Sequence, residues 1–230
     1  MISIENKVAI VTGAGRGIGR AIAIELGSMG ARVALAARTV SELQETAQRV
    51  TASLIVPTDV RRKADVHRLI EQAESKFGPV DILVNAAGLG IFGPVQEFKD
   101  EDYDTILDTN LRSIFLSCRA VLPSMITRRT GHIINIASIA GKVGSATRAV
   151  YCASKFGVIG FTESVAEEAR QYGIRVSFVC PGSTNTAFSP GSKSGKAFDK
   201  MLSPPDIAHG VHRGHPPRQS RFAPHLQGSV

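Results

Sequence analysis

The most informative segment of the chain is VAIVTGAGRGIG, at residues 8–19. Four apolar residues run into a turn that contains four glycines, and an amphipathic stretch follows. Gly13 permits a sharp turn, Gly17 lets backbone N–H groups approach a pyrophosphate, and Gly19 lets a helix pack closely on the strand. A glycine-rich string alone predicts only a tight turn. The strand–turn–helix context favours a phosphate-binding turn at the N-terminus of a helix.

Short β-branched runs alternate with amphipathic stretches along the rest of the chain. Strands are predicted at Val8–Val11, Arg32–Ala36, Leu54–Val56, Ile82–Val84, His132–Ala137 and Val176–Val179. Helices are predicted at Ile18–Met29, Ser41–Thr51, Lys63–Phe77, Asp100–Ser124 and Tyr151–Gln171. This alternation predicts a single α/β domain with a Rossmann-like, doubly wound parallel sheet.

The predicted domain covers residues 1–208, and residues 209–230 differ from it in composition. This tail holds four His, three Arg, three Gly and three Pro, with no acidic residue. Pro216-Pro217 opposes a helix and Pro224 opposes a central strand. We therefore expect no regular final strand there, which would leave Val176–Val179 at the sheet edge.

Composition argues against several other classes of protein. The formal net charge is +7, but three of the 27 basic residues lie in the tail and the others are scattered, so nucleic-acid binding is not expected. No apolar run reaches the length of a membrane span. The three cysteines match no metal or redox spacing. With no signal-peptide pattern visible, we expect a cytoplasmic protein that holds no metal.

Four polar residues form a possible catalytic set. Tyr151 and Lys155 are four residues apart and so share one helix face. Ser138 follows the fifth strand, and Asn110 lies within the preceding long helix. Taken singly, each could be a cap, a local backbone contact or a surface pair. Together, behind the glycine turn, they form an ordered pattern.

The TGxxxGxG turn and this Asn–Ser–Tyr–Lys order resemble the short-chain dehydrogenase/reductase family over about residues 5–208. The resemblance implies hydride transfer between a nicotinamide and a ketone or secondary alcohol. Tyr151 would exchange the proton, Ser138 would bind the carbonyl oxygen, and Asn110 would position a water. Lys155 would hold the cofactor ribose. In general appearance the chain is most similar to the 3-oxoacyl-(acyl-carrier-protein) reductases.

The lysine also has an electrostatic role in this hypothesis. A free phenol has a pKa of about 10, too high for ready proton release near neutrality. An ammonium about 4–5 Å away contributes roughly 3–4 kcal/mol at an effective dielectric near 20. We therefore expect Lys155 to lower the pKa of Tyr151 by roughly 2–3 units.

The expected cofactor is NADP(H). The second strand ends without the carboxylate that would bind the ribose of NAD, and Arg38 stands beside that position with Arg16 in the glycine turn. The resemblance assigns further contacts after the third, fourth and sixth strands. The complete predicted cofactor site is Gly13, Arg16, Gly17, Ile18, Gly19, Arg38, Asp59, Val60, Asn85, Ala86, Gly88, Tyr151, Lys155, Pro181, Gly182, Thr184 and Thr186.

The loops at 89–95, 139–145 and 186–190 carry few charges, which favours a small apolar or weakly polar carbonyl or alcohol substrate. Arg128 and Arg129 could meet an acidic acyl carrier protein, but complementing the end of their helix is the preferred interpretation. The resemblance implies a homodimer through helices at about 105–124 and 151–171, and the tail makes a tetramer doubtful. A nucleotide-binding structural or regulatory protein with little turnover remains the alternative. A sugar-nucleotide epimerase is disfavoured by the glycine spacing.

Overall fold

A parallel sheet of six strands forms the centre of the molecule. The computed structural model describes residues 4–182. Its strands are β1 (Val8–Thr12), β2 (Arg32–Ala37), β3 (Ala52–Pro57), β4 (Ile82–Asn85), β5 (His132–Ile136) and β6 (Arg175–Val179). They lie in the order β3-β2-β1-β4-β5-β6, and every neighbouring pair is parallel. The predicted Rossmann-like fold is confirmed.

Helices cover both faces of the sheet. They are α1 (Gly17–Ser28), α2 (Val40–Ala47), α3 (Lys63–Phe77), α4 (Asp100–Leu107), α5 (Ser113–Arg128) and α6 (Ala149–Arg170). Side chains of α1 and α2 pack in one apolar cluster with alternate strand residues. Side chains of α3, α5 and α6 pack in a second cluster with the remaining strand residues. Successive residues of β1 enter different clusters, so the strand is buried throughout and is apolar up to Thr12.

Two predicted helices differ from the observed ones. The helix predicted at Ser41–Thr51 ends at Ala47, because the chain turns so that Val50 packs into the cluster beside α1. The helix predicted at Asp100–Ser124 is divided into α4 and α5 by a π-helical segment at Asp108–Arg112, and α5 continues to Arg128. Helical periodicity alone does not reveal such an insertion.

The prediction that residues 210–230 add no final strand lies outside the described residues, as does the boundary at residue 208. Between residues 4 and 182, β6 is the last strand on its side of the sheet. None of the helices in that range is both long enough and apolar enough to cross a membrane.

Candidate active site

The predicted site residues that lie between residues 4 and 182 gather at one edge of the sheet. In a parallel sheet the carboxyl ends of the strands meet at the same edge, and ligands bind where the strand order reverses. Here that reversal lies between β1 and β4. Gly13 follows β1, Arg38 follows β2, Ala86 follows β4 and Ser138 comes two residues after β5.

The glycine turn is pressed against the segment after β4. Gly13 has a φ of +68°, and a Cβ atom there would lie 2.8 Å from the backbone nitrogen of Ala87. A Cβ atom at Gly19 would collide with the Gly13 carbonyl oxygen. The Thr12 hydroxyl accepts hydrogen bonds from the N–H groups of Ala86, at 3.1 Å, and Ala87, at 3.2 Å. No side chain fits at Gly13 or Gly19, which leaves a cradle of bare backbone.

The first turn of α1 is suited to an anion. The helix begins at Gly17, and its N-cap residue Arg16 makes no side-chain capping hydrogen bond. The first turn also holds no acidic residue. The first N–H groups of a helix need acceptors from outside it and carry partial positive charge. The backbone at Gly17 and Ile18 therefore fits the pyrophosphate of a dinucleotide.

Arg20 and Thr46 hold α2 against the glycine turn, and neither residue was identified from the sequence. Arg20 donates to the carbonyl of Gly15, 2.8 Å from Nε, and pairs with Glu45 at 2.9 Å. The buried Thr46 hydroxyl donates to the carbonyl of Ala14 at 2.9 Å. The turn is thus held by side chains as well as by its own backbone. A polar residue on the buried face of α2 was the available signal.

Arg16 and Arg38 extend from adjacent backbone. A Cβ atom at Gly15 would lie 3.4 Å from the Cβ atom of Ala37. The backbone of the next residues, Arg16 and Arg38, is therefore close together. Both arginines are exposed. One guanidinium nitrogen of Arg16 lies 4.0 Å from a carboxylate oxygen of Glu42. Glu42 therefore offsets part of the positive charge at this corner.

Asp59 is already paired in the structure. Arg61 donates to both oxygens of its carboxylate, at 3.0 Å and 2.7 Å, and this lowers the pKa of Asp59 although burial opposes the shift. The Asp59 N–H donates to the carboxylate of Asp65 at 3.0 Å. An adenine contact at Asp59 would therefore share the carboxylate with Arg61. Val60, the neighbouring predicted contact, is buried.

The side chain of Asn85 points into the protein interior, and its predicted contact with the cofactor stays a prediction. Its amide donates to the side-chain oxygen of Asn135 at 2.9 Å and its own oxygen accepts from Ser117 at 2.7 Å. Asn135 in turn donates to the Thr162 hydroxyl at 2.9 Å. Because buried polar groups need partners, this network joins β4, β5, α5 and α6. Ala86, Ala87 and Gly88, which follow Asn85, are half-exposed.

Tyr151 and Ser138 meet at the carboxyl edge. Tyr151 lies in the first turn of α6 with 7% of its surface exposed. Its phenol is hydrogen-bonded to the Ser138 side chain. The Ser138 hydroxyl also accepts from the N–H of Ala140 at 3.2 Å, which fixes its position. An oxygen atom placed beside the pair could receive a proton from one of these hydroxyls and a hydrogen bond from the other.

Lys155 lies one turn further along α6. It is 3% exposed, and its ammonium donates to the carbonyl of Ile136 at 2.8 Å. The nitrogen lies 6.0 Å from the centre of the Tyr151 ring. Burial lowers the pKa of Lys155 to about 8, so the side chain remains mostly charged at neutral pH.

The pKa of Tyr151 shifts in the direction opposite to that expected. Burial raises it, while the hydrogen bond from Ser138 and the charge of Arg148 lower it by less. Desolvation disfavours the phenolate more than these groups favour it. Arg148, which the sequence analysis did not single out, is thus the cation that opposes this shift in the structure.

Asn110 lies in the π-helical segment and is fully buried. Its side-chain oxygen accepts from the N–H of Leu89 at 2.9 Å, and its amide donates to the carbonyl of Leu89 and the hydroxyl of Ser154, both at 3.0 Å. Asn110 therefore joins the loop after β4 to α6 beside Tyr151. Its predicted water contact stays a prediction.

Two of the four cofactor contacts predicted after β6 lie within the described residues. Pro181 accepts a hydrogen bond from the N–H of Ile139 at 3.0 Å, which places it beside Ser138, and Gly182 is exposed. Thr184 and Thr186 lie outside the described residues, as does the predicted pocket loop at 186–190.

Arg128 and Arg129 are both bound to other parts of the chain. Arg128 pairs with Asp81 at 3.4 Å and donates to the carbonyl of Val80. Arg129 donates to the carbonyl of Gln171, the C-cap residue of α6, at 2.8 Å. These contacts tie α5 to its surroundings, so neither guanidinium needs an acyl carrier protein as its partner.

The chain matches the family model for short chain dehydrogenase over residues 7–197. It is 36% identical over 213 residues to an uncharacterized oxidoreductase of Staphylococcus aureus, covering 92% of this chain and 91% of that one. It is 39% identical to another from Staphylococcus saprophyticus, covering 90% of each chain.

The chain is also similar to solved structures of short-chain oxidoreductases and dehydrogenases. A metagenomic short-chain oxidoreductase in complex with NADP is 39% identical, with a TM-score of 0.79 over 92% of this chain and 91% of that one. A putative short-chain alcohol dehydrogenase from Sinorhizobium meliloti is 32% identical, with a TM-score of 0.85 over 91% of this chain and 89% of that one. With its fold, its glycine turn and these relatives in agreement, the chain belongs to the short-chain dehydrogenase family and is an oxidoreductase.

Proposed function

We propose that this protein is a cytoplasmic NADP(H)-dependent oxidoreductase that interconverts a ketone and a secondary alcohol. The observation that carries the proposal is the hydrogen-bonded pair of Tyr151 and Ser138 above Lys155, at the same sheet edge as the glycine cradle. Three free thiols support a reducing compartment.

Each residue has a defined part in this reaction. A bound NADPH supplies the hydride that reduces the carbonyl carbon. Tyr151 gives its proton to the carbonyl oxygen, and Ser138 donates a hydrogen bond to that oxygen as negative charge develops. Lys155, whose ammonium lies 6.0 Å from the centre of the Tyr151 ring, would hold the ribose of the cofactor. In alcohol oxidation Tyr151 takes the proton back.

The proton donor gives the first prediction. Tyr151→Phe removes the only acidic hydrogen of this side chain, so kcat should fall by about 10²–10⁴-fold. The dissociation constant for NADPH should change little, since the ring remains. Steady-state NADPH oxidation with a panel of ketones measures kcat. Fluorescence titration measures the dissociation constant for NADPH.

Tyr103→Phe is the matched control, because Tyr103 is an exposed residue of α4. The Tyr103→Phe variant should keep the kcat and the dissociation constant for NADPH of the parent protein. A Tyr151→Phe variant that keeps most of the parental kcat would remove Tyr151 from the mechanism. A parent that binds NADPH but reduces no ketone would favour the alternative, a nucleotide-binding regulatory protein.

The proposed preference for NADP(H) is supported by the corner where Arg16 and Arg38 start side by side. Guanidinium groups suit the 2′-phosphate, and the end of β2 at Ala37 and Arg38 carries no carboxylate to bind a free ribose hydroxyl. The metagenomic relative was solved with NADP, which is consistent with this assignment. Because Glu42 offsets part of the charge of Arg16, the proposal places most of the selectivity on Arg38.

The second prediction is that NADPH binds at least about tenfold tighter than NADH, and that Arg38→Asp narrows or reverses the difference. Arg49→Asp is the matched charge reversal. Arg49 follows α2 just before β3 begins, so it lies at the opposite edge of the sheet. Equal dissociation constants for both cofactors in the parent protein would contradict the assignment.

The proposed substrate is small and mainly apolar. The loop after β4 brings Phe92 against Tyr151, with ring centres 5.5 Å apart, and Val143 is 60% exposed on the loop before α6. Such side chains favour the body of an apolar carbonyl compound over a highly charged one.

The third prediction concerns assembly. We propose a homodimer through α5 and α6, because each presents an exposed aromatic residue: Phe115 is 41% exposed and Phe156 is 47% exposed. Exposed apolar surface of this kind favours association. Size exclusion with light scattering should give a dimer that Phe115→Glu converts to monomer. A monomeric parent would exclude this interface, and a robust tetramer would exclude the dimer as the final assembly.

A further inference from the structure

The reaction proposed above assigns no substrate contact to an arginine beside the active site. Arg148 immediately precedes α6 and stands three residues before Tyr151. Its guanidinium carbon lies 4.9 Å from the centre of the Phe92 ring. The Phe92 ring in turn meets the Tyr151 ring edge-on, with centroids 5.5 Å apart. The guanidinium and the phenol therefore contact the same ring.

The backbone around Arg148 is held in place. Thr147 has a φ of +62°, in the left-handed region that is unfavourable for a β-branched residue. Its carbonyl accepts a hydrogen bond from the N–H of Gly93 at 2.8 Å. This bond joins the loop that carries Phe92 to the loop that carries Arg148. The two side chains thus meet through a fixed backbone contact as well as through their own packing.

The charge of Arg148 is not neutralised within the described part of the chain. Among residues 4–182 the ion pairs involve other arginines and lysines, and none involves Arg148. The side chain is half-buried, so the guanidinium is partly shielded from water. Its effect on the pKa of Tyr151 is consistent with its closeness to the phenol. A partly buried cation beside a reacting group attracts an anion.

We propose that Arg148 forms a subsite for a carboxylate of the substrate, so that the enzyme prefers oxo acids to neutral ketones of the same shape. The inference rests on the proposed function and adds a charged end to an otherwise apolar substrate. A guanidinium binds a carboxylate through two parallel hydrogen bonds, and stacking on an aromatic face keeps its plane fixed. Residues three apart at a helix start are neighbours, so the carboxylate would lie within a few bonds of the ketone.

The test compares acids with their methyl esters. Benzoylformate and benzoylacetate, each against its methyl ester, give two pairs that differ in charge while keeping the ketone and the apolar ring. The ratio of kcat/KM for acid to ester is measured by NADPH oxidation. For at least one pair, Arg148→Gln should lower this ratio by about tenfold or more, as expected for loss of a charged hydrogen bond. Because Arg148 also lowers the pKa of Tyr151, the substitution slows acid and ester alike, and that common loss cancels in the ratio.

Arg119→Gln is the matched control, since Arg119 also stacks on a phenylalanine, 4.6 Å from the centre of the Phe115 ring, but on α5. It should leave both ratios unchanged. Arg148→Lys keeps the charge without the planar fork, so its ratios should fall between those of the parent and the glutamine variant. The lysine variant also serves as the test if the glutamine variant is unstable.

A parent that reduces the esters, with both ratios falling less than tenfold in Arg148→Gln, would overturn this inference and leave the proposed function standing. A parent that oxidises NADPH with none of the four compounds and with no other ketone would contradict the proposed function, and the inference would fail with it.

Discussion

The hydroxyl of Thr12 holds the junction on which the rest of the site depends. It accepts two backbone N–H groups from the segment after β4, at the point where the strand order reverses. Beside this junction a Cβ atom at Gly13 would collide with the backbone of Ala86 and Ala87, and one at Gly19 would collide with the carbonyl oxygen of Gly13. The bare backbone that results can approach a pyrophosphate. The same contact sets where the loop after β4 begins, and that loop carries Phe92 toward Tyr151.

The active site combines burial with charge. Burial raises the pKa of Tyr151 and lowers that of Lys155, so both shifts favour the uncharged side chains. Ser138 and Arg148 work against the shift at the phenol. A proton donor with a raised pKa keeps its proton until an acceptor is placed beside it. This suits the direction of carbonyl reduction, whereas alcohol oxidation requires additional positive charge near the phenol.

The elements that could be predicted from sequence are those with a local signature. The alternation of strands and helices predicted the sheet, and the spacing of Tyr151 and Lys155 placed them on one helix. Contacts between distant segments have no such signature. The side chain of Asn85 points inward and hydrogen-bonds with Asn135 and Ser117, and this orientation depends on how β4, β5 and α5 pack. The position of Arg148 on Phe92 likewise depends on two loops that meet only in the folded chain.

We propose that the carbonyl carbon of the substrate and the nicotinamide of the cofactor meet beside Tyr151. The most direct measurement is reduction of a ketone with NADPH deuterated at C4 on one face or the other, followed by mass spectrometry of the alcohol. A single chiral site should place the label from one face, and only that face, on the carbinol carbon of the product. Label found in the product from both faces, or from neither while NADPH is oxidised, would contradict direct transfer within this site.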